Sequence, residues 1–391
     1  MTAQTTWVAR DPRAPFTLTP PVLPLERRTR GWDVPLVATA LALSVIGAVL
    51  VWAATKETDG SSFLLRHLLN LVLAAGLTFG AARLNARLLR LFGPVMYVAS
   101  LGGLLLVLAA GVTINGARAW LLLPGGFELQ PAEFMKLGLV VGLAVLFTRY
   151  RDDRDEEAPP TTRDMLAAAL IVAVPLGLIL LQPDLGSAMV LACAVFGLLI
   201  AARVPARWTV GLLVVAVIVA VAVVEAGVLH DYQLARFKAF TDPNSDVQGI
   251  AYNVNQARIA IANGGLWGTG LFHGPQTNGG FVPEQRTDFI FSVAGEEFGL
   301  VGGAVLIALI GFLCWRGLRI ARAADPAGRL VAVGVVCWFA FQAFQNIGMT
   351  LGLTPVTGVP LPFVSYGGSS MFAQGLAVGL LQAVHRRAFE A

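Results

Sequence analysis

The chain has 391 residues, of which 13% are charged and 56% are apolar, and it contains 42 glycines besides. Soluble domains average about 25% charged residues, so this composition excludes a soluble protein of the same length. The formal net charge of +4 does not indicate nucleic acid as a partner, because the basic residues cluster in short loops between apolar runs. Cys193, Cys314 and Cys337 lie inside apolar runs, which excludes a disulfide framework and a CxxC metal site.

Both ends of the chain lie outside the apolar runs. Residues 1–30 contain five prolines but no apolar segment long enough for a signal peptide. We therefore expect a disordered cytoplasmic tail at 1–30 and a short C-terminal tail at 388–391. The residues between them, 31–387, are predicted to form one transmembrane domain.

The apolar runs predict an all-α polytopic membrane protein with about ten transmembrane helices. About 20 apolar residues span the hydrocarbon core of a bilayer. The longest run without Asp, Glu, Lys or Arg, residues 330–385, holds two spans divided by the Pro- and Gly-rich stretch 354–368. The predicted spans are 34–54, 63–82, 94–114, 131–149, 165–181, 186–202, 207–226, 289–315, 329–350 and 367–385.

Loop charges predict the orientation of these spans. Arginines are concentrated in alternate loops, which the positive-inside rule assigns to the cytoplasm together with both termini. One connection is much longer than the rest, with about 60 residues at 227–288 on the outer face. Loops longer than about 15 residues are usually functional or disordered, and this composition is not that of a disordered segment. The apolar spacing at 252–263 predicts short helices in the outer interface.

Ionisable residues inside apolar runs are the first candidates for function, because each costs several kcal/mol at the bilayer centre unless it is paired or hydrated. Glu133 and Lys136 in QPAEFMKL are three residues apart on one helical face and can pair with each other. One interpretation is an ion pair that fixes helix packing. The other is that Lys136 faces an outward cavity and binds an anionic group.

Two further candidates lie in predicted outer loops. Asp184 in LLQPDLGSAM is either the N-cap of the following helix or a binding residue. Arg118 in NGARAWLLLPGG is either a snorkelling side chain or a binding residue. There is no GxxxxGK[ST] motif, no zinc spacing among the four histidines and no visible Ser/His/Asp set.

The densest group of charges is FVPEQRTDFIFSVAGEEFGLVGG, residues 281–303. A solvated loop end explains Glu284 and Arg286 but not Asp288, which is followed at once by three apolar residues. A partly buried carboxylate has a raised pKa, as a general base needs, so Asp288 is the predicted catalytic or ion-coupling residue. Glu296 and Glu297 are expected to cap or pair with neighbouring loops.

Four stretches give the chain a family resemblance. NGARAW with QPAEFMKL, then QPDLGSA, FVPEQRTDFIFSV and PVTGVPLPFVSYGGSSM follow one another in this order. They closely resemble the SEDS family of cell-wall polymerases (shape, elongation, division and sporulation), which includes RodA, FtsW and SpoVE. The resemblance covers about residues 30–387, and the ten predicted spans agree with it. The loop sequences are more similar to RodA than to FtsW.

The resemblance implies a peptidoglycan glycosyltransferase that polymerises lipid II into β-1,4 glycan strands for cell elongation and rod shape. It implies a multi-pass protein of the bacterial inner membrane, active at its outer face. The implied partners are a class B penicillin-binding protein and membrane proteins of the elongation machinery.

The resemblance also carries residues over. The family's essential aspartate falls on Asp288, and conserved family residues match Arg118, Glu133, Lys136 and Asp184. There are two departures from the family pattern. Ala119 stands where a basic residue is frequent, and Arg286 stands where a His is common.

The mechanism that follows is general-base catalysis. Asp288 accepts the proton of an attacking sugar hydroxyl, and undecaprenyl pyrophosphate leaves. Arg118, Lys136, Arg258 or a divalent cation, Mg²⁺ or Mn²⁺, could stabilise the leaving group. That cation could be held by the acids Asp184, Glu133 and Asp288. Glu284 is also predicted to bind the substrate.

Two other classes of function fit the same sequence. Helix-breaking segments and intramembrane charges are also typical of transporters, which leaves a flippase for lipid-linked precursors as an alternative. A scaffold that recruits a synthase is the third interpretation. Within the family, a septal role like that of FtsW is the alternative to elongation.

Overall fold

The computed structural model describes residues 31–59, 61–114, 116–123, 127–149, 160–225, 233–234, 236, 240–241 and 249–387. The predicted tails at 1–30 and 388–391 lie outside the described residues. Much of the first half of the predicted outer loop, between 226 and 248, does so as well.

Helices account for most of the described chain. Seven of them are long and apolar enough to cross a membrane. This confirms an all-α polytopic membrane protein, while the count of ten spans and their orientation stay predictions. The helices are α1 Val34–Asp59, α2 Ser62–Ala81, α3 Ala86–Ala110, α4 Pro131–Thr148, α5 Thr162–Leu181, α6 Leu185–Ala201, α7 Ala206–Glu225, α8 Ile250–Gly264, α9 Pro275–Asn278, α10 Ile290–Ala323, α11 Pro326–Leu351 and α12 Gly368–Arg387.

The last helix, α12, carries more polar residues than a lipid-facing span would. It is buried along almost its whole length and packs against α2, α4, α10 and α11. Two of its glutamines form hydrogen bonds with backbone groups. Gln374 Oε1 accepts from Phe363 N at 2.7 Å, and Gln382 Nε2 donates to Asp33 O at 2.9 Å. A helix enclosed by other helices can hold such residues because they are not exposed to hydrocarbon.

The predicted third span, 94–114, is wrong at its outer end. Helix α3 ends at Ala110, and a small antiparallel sheet follows with strands β1 Val112–Ile114, β2 Ala117–Leu123 and β3 Phe127–Leu129. Gly111 leaves the helix with an extended backbone (φ −72°, ψ 153°). The β-branched run Val-Thr-Ile then favours a strand over a further helical turn. The segment ARAWLLL, Ala117–Leu123, is therefore part of a sheet.

Helix α10 contains a break that shapes the outer part of the fold. Gly299 has φ +66° and ψ −164° inside this helix, a conformation that favours glycine. A Cβ at Gly299 would lie 2.4 Å from Gly268 N, so the loop after α8 fits directly against the break. Leu300 N donates to Gly265 O at 2.9 Å across it. The loop between α8 and α10 is thereby fixed to the membrane helices.

The two ends of the bundle meet on one side. Asp33, just before α1, accepts a hydrogen bond from Arg316 Nη2 of α10 at 2.5 Å. Its backbone N–H donates to Gln382 Oε1 of α12 at 2.9 Å. An even number of spans, as predicted, would place both ends on the same side of the membrane.

Candidate functional site

Asp288 lies in a tight turn two residues before α10. Thr287 N and Phe289 N both donate to Glu284 O, at 3.1 and 3.2 Å. Phe289 is 2% exposed and Ile290 is not exposed, so the apolar residues that follow Asp288 anchor the turn in the bundle. The Asp288 side chain remains partly accessible. The turn therefore places a half-buried carboxylate at the N-terminal end of α10.

The loop 354–368 packs against this turn. Ser365 Oγ donates to Thr287 O at 2.6 Å, and Tyr366 N donates to Arg286 O at 2.9 Å. Gly358 has φ +72°, and a Cβ added there would lie 3.4 Å from Asp288 Oδ2. The backbone of this loop therefore approaches the Asp288 carboxylate closely.

Arg236 is the basic residue that the structure brings to this place. The same Cβ position at Gly358 lies 3.4 Å from Arg236 Nη2, so the guanidinium and the Asp288 carboxylate flank one glycine. Arg236 is buried. Burial lowers the pKa of Arg236, while the charges of Asp288 and Asp184 raise it. A buried guanidinium therefore lies beside the Asp288 carboxyl group at the centre of the candidate site.

The surroundings of Asp288 disfavour the ionised form of its carboxyl group. Burial, followed by the negative charge of Glu284, raises the pKa of Asp288 to about 7. Arg236 opposes this rise, and Asp184 adds to it. A carboxyl group with this pKa exchanges protons near neutral pH, as general-base catalysis requires.

Asp184 has the N-cap role that was one of its two interpretations, and its role in binding stays a prediction. It is the N-cap of α6, since its Oδ1 accepts from Ser187 N at 2.9 Å, and its Oδ2 accepts from Gln130 Nε2 at 2.8 Å. It also lies close enough to Asp288 to influence its charge. Gly186 makes this arrangement compact, because a Cβ there would lie 2.6 Å from Thr357 O. The QPDLG stretch and the 354–368 loop are thus in contact.

Glu133 and Lys136 form an ion pair inside the bundle. Lys136 Nζ lies 2.5 Å from Glu133 Oε1, and the side chains are 1% and 3% exposed. Lys136 Nζ also donates to Gln342 Oε1 at 3.2 Å and lies 4.8 Å from the centre of the Trp338 ring. The geometry favours the packing interpretation over a lysine that faces an outward cavity. Contact between Lys136 and substrate stays a prediction.

The other predicted substrate-binding residues lie in different places. Arg118 donates to Gly111 O and Ala109 O, at 2.9 and 3.1 Å, and so caps the end of α3. Arg258 is exposed on α8, near Gly352 at the end of α11. Glu284 has φ +54° and accepts from Thr287 Oγ1 at 2.9 Å, beside Asp288. Of these three, Glu284 is the one that the structure brings to Asp288.

Glu296 and Glu297 have structural partners, in line with their interpretation from the sequence. Glu296 accepts from Gln276 N at 2.9 Å and from Thr277 N at 2.8 Å, which holds α9 against α10. Glu297 accepts from Phe272 N at 3.2 Å. Both carboxylates serve the packing of the outer loop.

The three acids proposed to hold a cation do not lie together in the part of the chain that the structure describes. Glu133 is bound to Lys136, whereas Asp184 and Asp288 lie near Arg236. Within the described ranges, no group of three or more His, Cys, Asp or Glu residues could hold a metal ion. A divalent cation at the site stays a prediction.

Three residues of the site were missed by sequence reasoning. Arg236 is about 50 positions from Asp288 and stood out only as one basic residue of the outer loop. Gly358 was included only as part of a glycine-rich stretch. Asn346 donates from Nδ2 to both Asp288 O and Val359 O at 2.7 Å. The available signal for Asn346 was an amide in the middle of a charge-free run.

Known proteins resemble the chain over almost its full length. Residues 33–389 match the cell cycle protein family of FtsW, RodA and SpoVE. Peptidoglycan glycosyltransferase MrdB of Escherichia coli (strain K12) is 34% identical over 355 residues, which are 90% of this chain and 93% of that protein. Probable peptidoglycan glycosyltransferase FtsW of Trichlorobacter lovleyi is 36% identical over 364 residues, with the same two coverages of 90% and 93%.

Solved structures agree with these relatives. A chain from a structure titled "Structural coordination of polymerization and crosslinking by a peptidoglycan synthase complex" superposes with a TM-score of 0.77 at 34% identity, covering 92% of this chain and 99% of that one. Rod shape determining protein RodA of Thermus thermophilus superposes with a TM-score of 0.68 at 31% identity and the same coverages, 92% and 99%. These matches confirm the SEDS resemblance and the prediction of a glycosyltransferase, and the chain therefore belongs to the FtsW/RodA/SpoVE family of peptidoglycan glycosyltransferases.

Proposed function

We propose that the chain polymerises lipid II into β-1,4 glycan strands at the outer face of the bacterial inner membrane. The observation that carries the proposal is the Asp288 carboxyl group. It is partly accessible, has a pKa raised to about 7, and lies beside Arg236 under the 354–368 loop. A base that titrates near neutral pH next to a fixed cation suits the attack of a sugar hydroxyl on a carbon that loses an anionic group.

In the proposed reaction, Asp288 accepts the proton of the 4-hydroxyl of an N-acetylglucosamine. The hydroxyl oxygen forms a bond to the anomeric carbon of the donor sugar, and the bond from that carbon to the pyrophosphate breaks. Undecaprenyl pyrophosphate leaves with the bonding electrons. Because attack occurs on the face opposite an α-linked pyrophosphate, the new linkage is β-1,4.

In this reaction, Arg236 supplies the positive charge that stabilises the leaving group. Among Arg118, Lys136 and Arg258, two are bonded within the fold and one is exposed on α8, whereas Arg236 flanks the same glycine as Asp288. A guanidinium in this place lowers the pKa of Asp288 and so keeps part of it ionised at neutral pH. It also favours a departing pyrophosphate, which gains negative charge in the transition state.

The test is polymerisation of lipid II by the purified protein. Asp288→Asn keeps the size of the side chain and removes the base, and it should lower the rate by at least about a hundredfold. Asp325→Asn is the matched control, because Asp325 caps α11 through Gly328 N. Wild-type rates for folded Asp288→Asn would contradict the role of the base. Parallel reactions with and without Mg²⁺ or Mn²⁺ test the predicted divalent cation.

Reconstitution of the purified protein in proteoliposomes distinguishes a polymerase from a flippase. In proteoliposomes, a polymerase gives glycan strands from lipid II on its outer face. Translocation of lipid II without any glycan product would instead favour the transporter.

The cellular role that we propose is elongation, in complex with a class B penicillin-binding protein and other membrane proteins of the elongation machinery. The RodA-like loop sequences and the structural match to a rod shape determining protein support it. The match to a chain of a peptidoglycan synthase complex supports a crosslinking partner. The relative named FtsW, at 36% identity, favours a septal role as the second candidate. Location at the lateral wall and round cells on depletion would support elongation, whereas septal location and filaments would overturn it.

A further inference from the structure

Three buried amide side chains of α11 fasten the 354–368 loop. All three donate to backbone carbonyls of that loop from a helix that has no Asp, Glu, Lys or Arg beyond Arg329. The bonds are Gln342 Nε2 to Pro360 O at 2.8 Å, Gln345 Nε2 to Pro355 O at 2.9 Å and Asn346 Nδ2 to Val359 O at 2.7 Å. These three bonds therefore fix the position of the loop relative to α11.

Asn346 differs from the other two because it also holds the turn that carries Asp288. Its Nδ2 donates to Asp288 O at 2.7 Å in addition to Val359 O. The side chain is 0% exposed, so water does not compete for these bonds. Its orientation is determined, because an amide oxygen in the place of Nδ2 would face two carbonyl oxygens.

The residues that Asn346 joins are next to the reacting groups. Val359 follows Gly358, whose added Cβ would lie 3.4 Å from both Asp288 Oδ2 and Arg236 Nη2. One side chain thus sets the distance between the base and the loop that covers it. Ser365 and Tyr366 join the same two segments farther along, so Asn346 controls the end nearest to the carboxylate.

We propose that Asn346 is a positioning residue of the polymerase, which holds Asp288 and Gly358 in the geometry of the reaction. The inference rests on the proposed role of Asp288 as the base. Asn346 does not touch the substrate and acts through the backbone of residues 288 and 359. Displacement of a reacting group by about 1 Å costs on the order of a hundredfold in rate, so the effect should fall on kcat and leave KM nearly unchanged.

A second consequence concerns the pH dependence. Asp288 is surrounded by Glu284 on its own turn, by Arg236 and by Asp184 at the start of α6. Loss of the two Asn346 bonds leaves these charges in place but frees the turn to separate from the 354–368 loop, and this separation exposes the carboxyl group to water. Because burial is the largest cause of the raised pKa, the midpoint of the kcat/KM profile should move to lower pH.

The experiment compares Asn346→Leu with Gln345→Leu in lipid II polymerisation by the full chain. Gln345→Leu removes a loop bond of the same kind from the same helix without touching Asp288. Both variants should lose similar thermal stability. Asn346→Leu should lower kcat by about 10- to 100-fold and shift the pH midpoint downward, whereas Gln345→Leu should stay within about threefold of wild type at an unchanged midpoint.

Equal kcat and equal midpoints for the two leucine variants would overturn the positioning role. If Asn346→Leu does not give folded protein, Asn346→Ser carries the test, because a smaller side chain is more easily accommodated in this buried place and is too short to join the two carbonyls. Asp288→Asn measured in parallel separates the two proposals. An active Asp288→Asn variant refutes the base itself, while an inactive one beside a fully active Asn346→Leu refutes only the positioning.

Discussion

The proton affinity of Asp288 should control the rate of the polymerase near neutral pH. The base must be ionised to accept a proton, and the pKa of Asp288 is raised to about 7. At pH 5 only about 1% of such a group is ionised, so kcat/KM should be about a hundredfold below its plateau at pH 8 to 9. An aspartate at the ordinary value of 3.8 would be about nine-tenths ionised at pH 5 and would give an almost flat profile.

Two charge variants should move this profile in opposite directions. Glu284 raises the pKa of Asp288, so Glu284→Gln should shift the midpoint to lower pH. Arg236 lowers it, so Arg236→Gln should shift the midpoint to higher pH as well as reduce the plateau. Asp325→Asn should leave the midpoint in place. Initial rates of lipid II polymerisation between pH 5 and 9 measure all four proteins.

The comparison between variants removes the contribution of the substrate. Phosphates of lipid II ionise at the same pH whichever variant is assayed, so only differences between midpoints report on Asp288. A flat wild-type profile from pH 5 to 8 would refute a base with this pKa. Shifts of the same sign for Glu284→Gln and Arg236→Gln would refute the electrostatic reasoning.

The raised pKa also has a cost in stability. A carboxyl group with a folded pKa above its unfolded value of 3.8 destabilises the fold progressively as pH rises from that value to about 7. The difference between these two pKa values corresponds to roughly 4 kcal/mol at most, and less because the side chain is partly accessible to solvent. Asp288→Asn should therefore unfold at a higher temperature than wild type at pH 8, with a difference that disappears near pH 4. Thermal unfolding of both proteins across this range measures it.

Three further predictions concern the surroundings of the site. Lys136→Met should lower the free energy of unfolding by about 3–5 kcal/mol because it leaves Glu133 buried without its partner, and adding Glu133→Gln should recover most of this loss. Thermal unfolding of the single and double variants measures both effects. A double variant that is stable but inactive would favour substrate binding by Lys136. Gly358→Ala places a methyl group against Asp288 in a left-handed backbone conformation, so polymerisation should fall by about tenfold or more in folded protein, and unchanged rates would contradict the close approach. Arg118→Gln should lower the free energy of unfolding by about 1 kcal/mol and leave the polymerisation rate within about threefold of wild type. A large loss of rate in folded protein would support Arg118 as a binding residue.

Helix positions were the most predictable part of the fold. Long runs without charge predicted segments that coincide with α1, α2, α4 and α11 to within a few residues at most boundaries. The outer end of α3 was not predictable in this way, because a β-branched apolar run such as Val112–Ile114 looks like the end of a span when only hydropathy is considered. Strands of three residues have no periodicity to detect.

For the site, the sequence singled out Asp288 and two acids that surround it, Glu284 and Asp184, but not its other neighbours. Asp288 stood out because a charge directly before an apolar run is costly, which is a local property of the chain. Arg236, Asn346 and Gly358 reach Asp288 only through tertiary packing, since each lies more than 50 positions away in the sequence. Arg118 was ambiguous in sequence, because a charge near the outer surface is equally well explained by a helix cap, and the structure shows such a cap.

The choice of neutral side chains to hold the catalytic turn is itself consistent with a base. A lysine or arginine bonded to the carbonyl of residue 288 would add a positive charge next to the carboxyl group and lower its pKa toward the ordinary range. The amide of Asn346 gives the same two hydrogen bonds without a charge. Amides of α11 thus fix the backbone without adding charge, while Arg236, Glu284 and Asp184 set the charge around the carboxyl group. Asn346→Leu should therefore lower kcat strongly and, through loss of burial, lower the pH midpoint as well, whereas Glu284→Gln should lower the midpoint without a large loss of kcat.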